Sequence, residues 1–144
     1  MPRGEGLGMT KPIPMIQRYM STAPVTVEPT STIVEAHELL RTHRIRHLPV
    51  VTDGRLVGLL SDRDVALVEA LAGVNVEEVT VSDAMSKPVY TVAPDALLDD
   101  VCLHMAEHKL GSAVVEQNRK VVGVFTAVDG LRALGELLRT RLAK

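Results

Sequence analysis

The chain has 144 residues, 46% of them hydrophobic, and a formal net charge of −2. That balance offers no field to a polyanion, and with no Trp, one Phe and two Tyr there is no stacking platform, so nucleic-acid binding is not expected. A single cysteine, Cys102, excludes an intrachain disulfide and a cysteine metal cluster; no apolar run reaches the ~18 residues of a membrane span, and the expected compartment is the cytoplasm.

Residues 1–11 carry glycines at 4, 6 and 8 with no strand before them and read as a flexible tail. Pro12 and Pro14 hold the following stretch extended, and residues 15–20 form a short helical lead-in. Residues 25–27 are a β-branched run closed by Pro29. Thr30 then stands where an N-cap belongs, and a helix to about Thr42 carries its apolar stripe on Ile33, Ala36 and Leu40. Residues 48–51 and 56–60 read as strands joined by Asp53-Gly54, a strong type I′ hairpin signal. Ser61 opens another helix, with Gly73 as its C-cap. Residues 74–80 link this first unit, residues 12–73, to a second, residues 81–144.

The second unit follows the same plan. Residues 82–85 form a helical lead-in, residues 90–92 a short strand closed by Pro94, and Asp95 an N-cap. A helix to about Glu107 places Leu98, Val101 and Met105 on one face and carries Cys102, read as a buried small residue with a reactive thiol as the alternative. Residues 113–115 and 121–125 are strands around Asn118-Arg119, a weaker form of the hairpin turn, and Thr126 opens a helix to the C-terminus. A gapless shift of 65 positions (85 minus 20) lays Met20-Ser21 on Met85-Ser86, Thr26-Val27 on Thr91-Val92 and Pro29 on Pro94. The same shift matches His43 with His108, Val57-Gly58 with Val122-Gly123, Ser61 with Thr126 and Asp64 with Asp129. Register held through a helix, a hairpin and a second helix marks a duplication. A half this small buries too little surface to stand alone, so the two halves are expected to pack on each other.

Met-Ser before the first strand, Thr-Val-x-Pro at its end, His43-Arg-Ile-Arg-His-Leu-Pro-Val-Val51 into the hairpin, and Gly58-Leu-Leu-Ser61-Asp-Arg-Asp64 echoed by Gly123-Val-Phe-Thr126-Ala-Val-Asp129 together resemble the cystathionine-β-synthase (CBS) domain pair, over residues 12–138. The resemblance implies an α+β fold of two tandem β-α-β-β-α repeats packed with pseudo-twofold symmetry into one module. It also implies association of two modules as a homodimer, clefts between repeats that bind AMP, ADP, ATP or S-adenosylmethionine, and regulation of an effector. No effector domain is expected within this length, so the partner is a separate protein or another copy.

Carried over position by position, the resemblance gives two candidate clefts. The first joins Thr126 and Asp129 to Thr26, Val27, Ile45, Arg46 and His47, with His108 and Lys109 near the phosphates. The second joins Ser61 and Asp64 to Thr91, Val92, Leu110, Gly111 and Ser112, with Arg44 and Arg63 toward the phosphates. The chemistry fits: a carboxylate accepts from both ribose hydroxyls, a hydroxyl at a helix N-terminus suits a phosphate, and a glycine lets the strand approach a ligand. The same spacing also makes an N-terminal capping box, which needs no ligand. Small Gly111 and Ser112 make the second cleft the roomier expectation, whereas Arg46 and His47 either grip a phosphate or fill the first. The departure of Ala113-Val114 from Leu48-Pro49 puts the second strand's start in question.

The basic run from His43 to His47 is either a phosphate or partner contact or a solvated helix end whose cations complement the macrodipole. His43/His47 and His104/His108 have a metal-clamp spacing without an evident third ligand, and no metal site is expected. No Walker loop, nucleophile elbow or His-Glu-x-x-His pair is present, and Asp99-Asp100 and Glu77-Glu78 read as solvated faces, so no catalytic residues and no enzyme activity are expected. Ligand sensing is the leading reading. Its rival is a constitutive homodimerisation scaffold with empty or plugged clefts.

Overall fold

The computed structural model describes residues 12–141; the tail expected over residues 1–11 lies outside them. In chain order the elements are a 3-10 turn (Ile16–Arg18), β1 (Ser21–Thr22), α1 (Ile33–His43), β2 (His47–Thr52), β3 (Arg55–Ser61), α2 (Asp62–Glu69), α3 (Val81–Ala84), β4 (Thr91–Val92), α4 (Leu98–His108), β5 (Ser112–Gln117), β6 (Lys120–Thr126) and α5 (Ala127–Arg141). This is the α+β pair of β-α-β-β-α units expected from the duplication.

The two hairpins show why. β2 and β3 pair antiparallel through Asp53-Gly54, with φ of 52° and 79°. β5 and β6 pair through Asn118-Arg119, with φ of 54° and 64°. Both turns thus take the left-handed conformation that matches strand twist, and the second does so without glycine. Each hairpin has a register shift at the same repeat position, Val50/Val51 and Val115/Glu116. Ala113-Val114 starts β5 without disruption: β5 matches β2 in length, and Ala113, Val114 and Val115 are fully buried.

The helices bury the stripes read from the sequence, Ile33, Ala36 and Leu40 on α1 and Leu98, Val101 and Met105 on α4. Their N-caps are corrected. Thr32, not Thr30, caps α1: its Oγ1 accepts from the Glu35 N–H at 3.1 Å, and Glu35 Oε1 accepts from the Thr32 N–H at 2.9 Å. Asp95 caps nothing, because α4 starts at Leu98 after Leu97. The reason is an exchange between repeats. The Ile33 N–H donates to the Val79 carbonyl at 3.0 Å, and the Leu98 N–H donates to the Pro14 carbonyl at 2.9 Å. Each helix start is satisfied by the other repeat's lead-in. Thr32→Ala is expected to cost about 1 kcal/mol, read as a lower midpoint of chemical denaturation, while Thr30→Ala stays within about 0.5 kcal/mol. Gly73 is not a C-cap either: α2 ends at Glu69 with Ala70 as its C-cap, and Gly73, at φ 77°, lies in the connection beyond.

The exchange runs through the whole module. Ser21 on β1 pairs with Val124 on β6, and its repeat mate Ser86 pairs with Leu59 on β3. Ile16 is fully buried in the second repeat's core, and Val81 in the first repeat's core. The second sheet runs β1-β6-β5-β4, with β4 parallel to β5. The strand expected over residues 25–27 shrinks to one parallel bridge, Val27 to Val50. Neither contiguous half contains all of its own core.

Candidate functional site

Between the repeats lies a cavity of about 540 Å³, within the range of small-molecule sites. Three walls make it: residues 21–25 from the exchanged strand, residues 43–47 from the end of α1 into β2, and Val124 with residues 126–129 from the end of β6 into α5, beside Gly111. Its polar groups are unevenly signed. His43, Arg44, Arg46 and His47 face it from one side, and Asp129 from the other.

Asp129 is 6% exposed although charged, so its interactions decide what it can do. Its Oδ2 accepts from the Thr126 N–H at 2.8 Å and the Thr126 hydroxyl at 3.1 Å. Its Oδ1 accepts from Arg132 Nη1 at 3.1 Å, and the Asp129 N–H donates to Thr126 Oγ1 at 3.2 Å. The capping box is therefore formed. A carboxylate has about four acceptor sites, so this one keeps capacity for a ligand hydroxyl while capping α5.

Of the residues assigned to the first cleft, Ile45, Arg46, His47, Thr126 and Asp129 are brought together here. Arg46 and His47 line the space and do not fill it. Thr26, Val27, His108 and Lys109 do not line this cavity. Val27 is tied up in the sheet bridge. His108 is turned into a stack, 4.2 Å from the His104 ring, with its Nδ1 3.0 Å from the His104 carbonyl. Lys109 borders a separate apolar groove between α4 and α5. Sequence reasoning missed the strap at residues 21–25, because a strand pairing across repeats leaves no local mark.

The residues assigned to the second cleft do not all share one of the four cavities described. None of the four cavities described is lined by Ser61, Arg63, Asp64, Thr91, Val92 or Ser112. Ser61 and Asp64 form the α2 capping box, the Ser61 N–H donating to Asp64 Oδ2 at 2.8 Å. Arg44 and Gly111 face the first cavity, and Leu110 borders the apolar groove. The bulky Arg46 and His47 line the cavity of about 540 Å³. His47 leans over Gly111, where a Cβ would meet His47 Nε2 at 3.0 Å. Tyr90 takes the place that Val25 has in the first repeat, and it stacks on His104 at 4.1 Å. The closing strands' glycines are approached closely by the other repeat's lead-in. A Cβ on Gly123 would lie 2.6 Å from Met20 Sδ and 2.8 Å from the Ser21 carbonyl oxygen, and one on Gly58 would lie 2.9 Å from Met85 Cγ.

Burial holds the His47 imidazole below its usual pKa of 6.5, against the opposing pull of Asp62 and Asp64 and with a small push from Arg46. Its Nδ1 is buried without a partner among the described residues. The unfolded chain binds this proton more readily, so stability from His47 is full above about pH 6.5 and is lost as pH falls through the lower folded value. His47→Gln is expected to flatten that acid-side decline, read as the melting temperature across a pH series. Burial likewise pushes the Cys102 thiol up, with Asp99 adding to it. Half-buried on α4, Cys102 favours the neutral thiol over a reactive thiolate.

No helix among the described residues is long and apolar enough to cross a membrane. A family model described as CBS domain matches residues 9–70 and 81–136. The chain is 36% identical over 114 residues to the CBS domain-containing protein YhcV of Bacillus subtilis (strain 168), which covers 79% of this chain and 81% of that protein. It is 34% identical over 135 residues to L-aspartate semialdehyde sulfurtransferase of Methanocaldococcus jannaschii, and spans 92% of this chain but about a quarter (26%) of that protein. The CBS domain pair of protein MJ0100, crystallised with 5′-methylthioadenosine and S-adenosyl-L-methionine, superposes with a TM-score of 0.79 at 31% identity, covering 87% of this chain and 98% of that one.

Proposed function

The chain belongs to the CBS domain family, and we propose that it is a regulatory module, not an enzyme, that senses an adenine nucleotide in the cavity between its repeats. The observation that carries this reading is the pairing of a basic wall, Arg44 and Arg46, with the Asp129 carboxylate across one cavity. Phosphates meet the arginines, and a ribose hydroxyl meets Asp129. The MJ0100 pair supports an adenosine ligand by its bound methylthioadenosine and S-adenosylmethionine. The basic wall favours a phosphate-bearing ligand, AMP, ADP or ATP, over the cationic sulfonium of S-adenosylmethionine. The module acts as a homodimer in the cytoplasm and passes the signal to a separate effector protein.

A ligand touching both repeats stabilises the arrangement it prefers by about 2.7 kcal/mol at a hundredfold excess over Kd, sufficient to bias two near-balanced conformations. Calorimetry and thermal shift with AMP, ADP, ATP, S-adenosylmethionine and a guanine nucleotide test the reading. One adenine nucleotide is expected to bind with one site per chain and to raise the Tm. No heat and no shift with any adenine ligand would favour a scaffold whose cavity stays empty.

A further inference from the structure

His47 opens β2 opposite Ser61 and leans across to the other repeat, its Nε2 3.0 Å from where a Cβ on Gly111 would stand. Both His47 and Gly111 line the cavity. The other ring nitrogen, Nδ1, is buried without a partner. Among the described residues one more buried side-chain polar atom stands alone, Ser112 Oγ. The two residues are 65 positions apart (112 minus 47), the same place in each repeat. A buried polar group without a partner is costly, so its recurrence at one position of both repeats calls for a reason beyond packing. Serine has no charge to gain there, and histidine does.

The charges around the ring come in two opposed sets. On the cavity side stand His43 and Arg44 at the end of α1 and Arg46 next in the chain, with Asp129 of α5 as the one carboxylate of the lining. Outside that lining, at the start of α2, Asp62 and Asp64 draw a proton toward the ring. Burial, with a small push from Arg46, outweighs their pull and keeps the imidazole neutral at neutral pH. A phosphate in the cavity reverses the balance. It offsets the arginines and adds an anion of its own, so the groups on both sides then favour the imidazolium.

We propose that His47 takes up a proton from solvent when a phosphate-bearing nucleotide binds in this cavity, so that the module reads nucleotide and acidity together. This rests on the nucleotide reading above and adds to it a residue that selects phosphate. The imidazolium presents an N–H at Nε2 to a phosphate oxygen, a charge-assisted bond. Asp129 on the far wall does not take this part, because its carboxylate is held by the Thr126 N–H and by Arg132. The linkage has one sign. The liganded chain binds more protons than the free chain, so affinity rises as pH falls. The rise begins where the liganded imidazole titrates and ends where the free one, held below 6.5, does.

Calorimetry of the full chain with AMP, ADP and ATP across a pH series, in buffers of different ionisation enthalpy, tests this. From mildly alkaline to mildly acid pH the wild type is expected to gain about tenfold in affinity beyond any gain of His47→Gln. It is also expected to take up protons that the variant does not. The subtraction removes the titration of the nucleotide's own phosphate, which both proteins share. Adenosine, which has no phosphate, is expected to show no such difference. Because His47→Gln alters the lining, the His47 ring-proton resonances of the wild type give a second reading, and their titration midpoint is expected to move to higher pH when nucleotide saturates. An unmoved midpoint, equal coupling with adenosine, or proton uptake that persists in His47→Gln overturns the proposal and leaves nucleotide sensing intact. No binding of AMP, ADP or ATP at any pH overturns the nucleotide reading, and this proposal with it.

Discussion

Asp129→Ala is expected to weaken nucleotide binding by roughly ten- to hundredfold, the loss of charge-assisted hydrogen bonds of about 1.5–3 kcal/mol. The same change removes the acceptor of the Thr126 N–H and of Arg132, so it also lowers stability by about 1 kcal/mol. Those two effects need separating, and the duplication supplies the control. Asp64 makes the matching capping box with Ser61 but does not line the cavity. Asp64→Ala is therefore expected to show the stability loss with nucleotide affinity within about threefold of wild type. Calorimetry on both variants decides the assignment. If Asp64→Ala lost affinity and Asp129→Ala kept it, the occupied cleft would be the other one.

The contrast between the two carboxylates also shows what the sequence could and could not disclose. Local chemistry was legible. The hairpin at Asp53-Gly54, the buried stripes on α1 and α4, and the helix starts at Ser61 and Thr126 all follow from residues within one turn of each other. The doubled pattern was legible too, because a shift of one register matches every element at once. What stayed hidden are contacts between the repeats. Thr30 was the sequence's N-cap because nothing local tells that Val79 bonds the N–H of Ile33. Gly111 promised open space because it is small, yet His47 from the other repeat leans over it. Likewise, Gly58 and Gly123 sit where a ligand could approach, and the groups that approach them are Met85 and Met20.

The methionine–glycine contacts lead to the largest stability effect expected here, at Gly123. Met20 lies over Gly123, and its repeat mate Met85 lies over Gly58, so each lead-in is seated on the opposite repeat's closing strand. The two seats differ in what a new methyl would strike. At Gly58 the obstacles are Met85 side-chain atoms, and an unbranched thioether can turn aside. At Gly123 the Ser21 carbonyl also stands at 2.8 Å, and it belongs to β1, which is paired with β6 through Ser21 and Val124. Gly123→Ala is therefore expected to cost about 2–3 kcal/mol, near the top of the range for overpacking, and Gly58→Ala about 1 kcal/mol. Thermal melts should separate them, at about 2–4 °C per kcal/mol for a chain of this size. Double mutants sharpen the point. Met85→Ala is expected to relieve most of the clash at Gly58, whereas Met20→Ala leaves the Ser21 carbonyl in place and rescues Gly123→Ala only in part. Because Ser21 and Thr22 also line the cavity, Gly123→Ala should shift that wall and weaken nucleotide binding, while Gly58→Ala should not. Equal costs at the two glycines, or full rescue by Met20→Ala, would mean that β1 yields as easily as a side chain and that the exchanged strand is no rigid wall for the ligand.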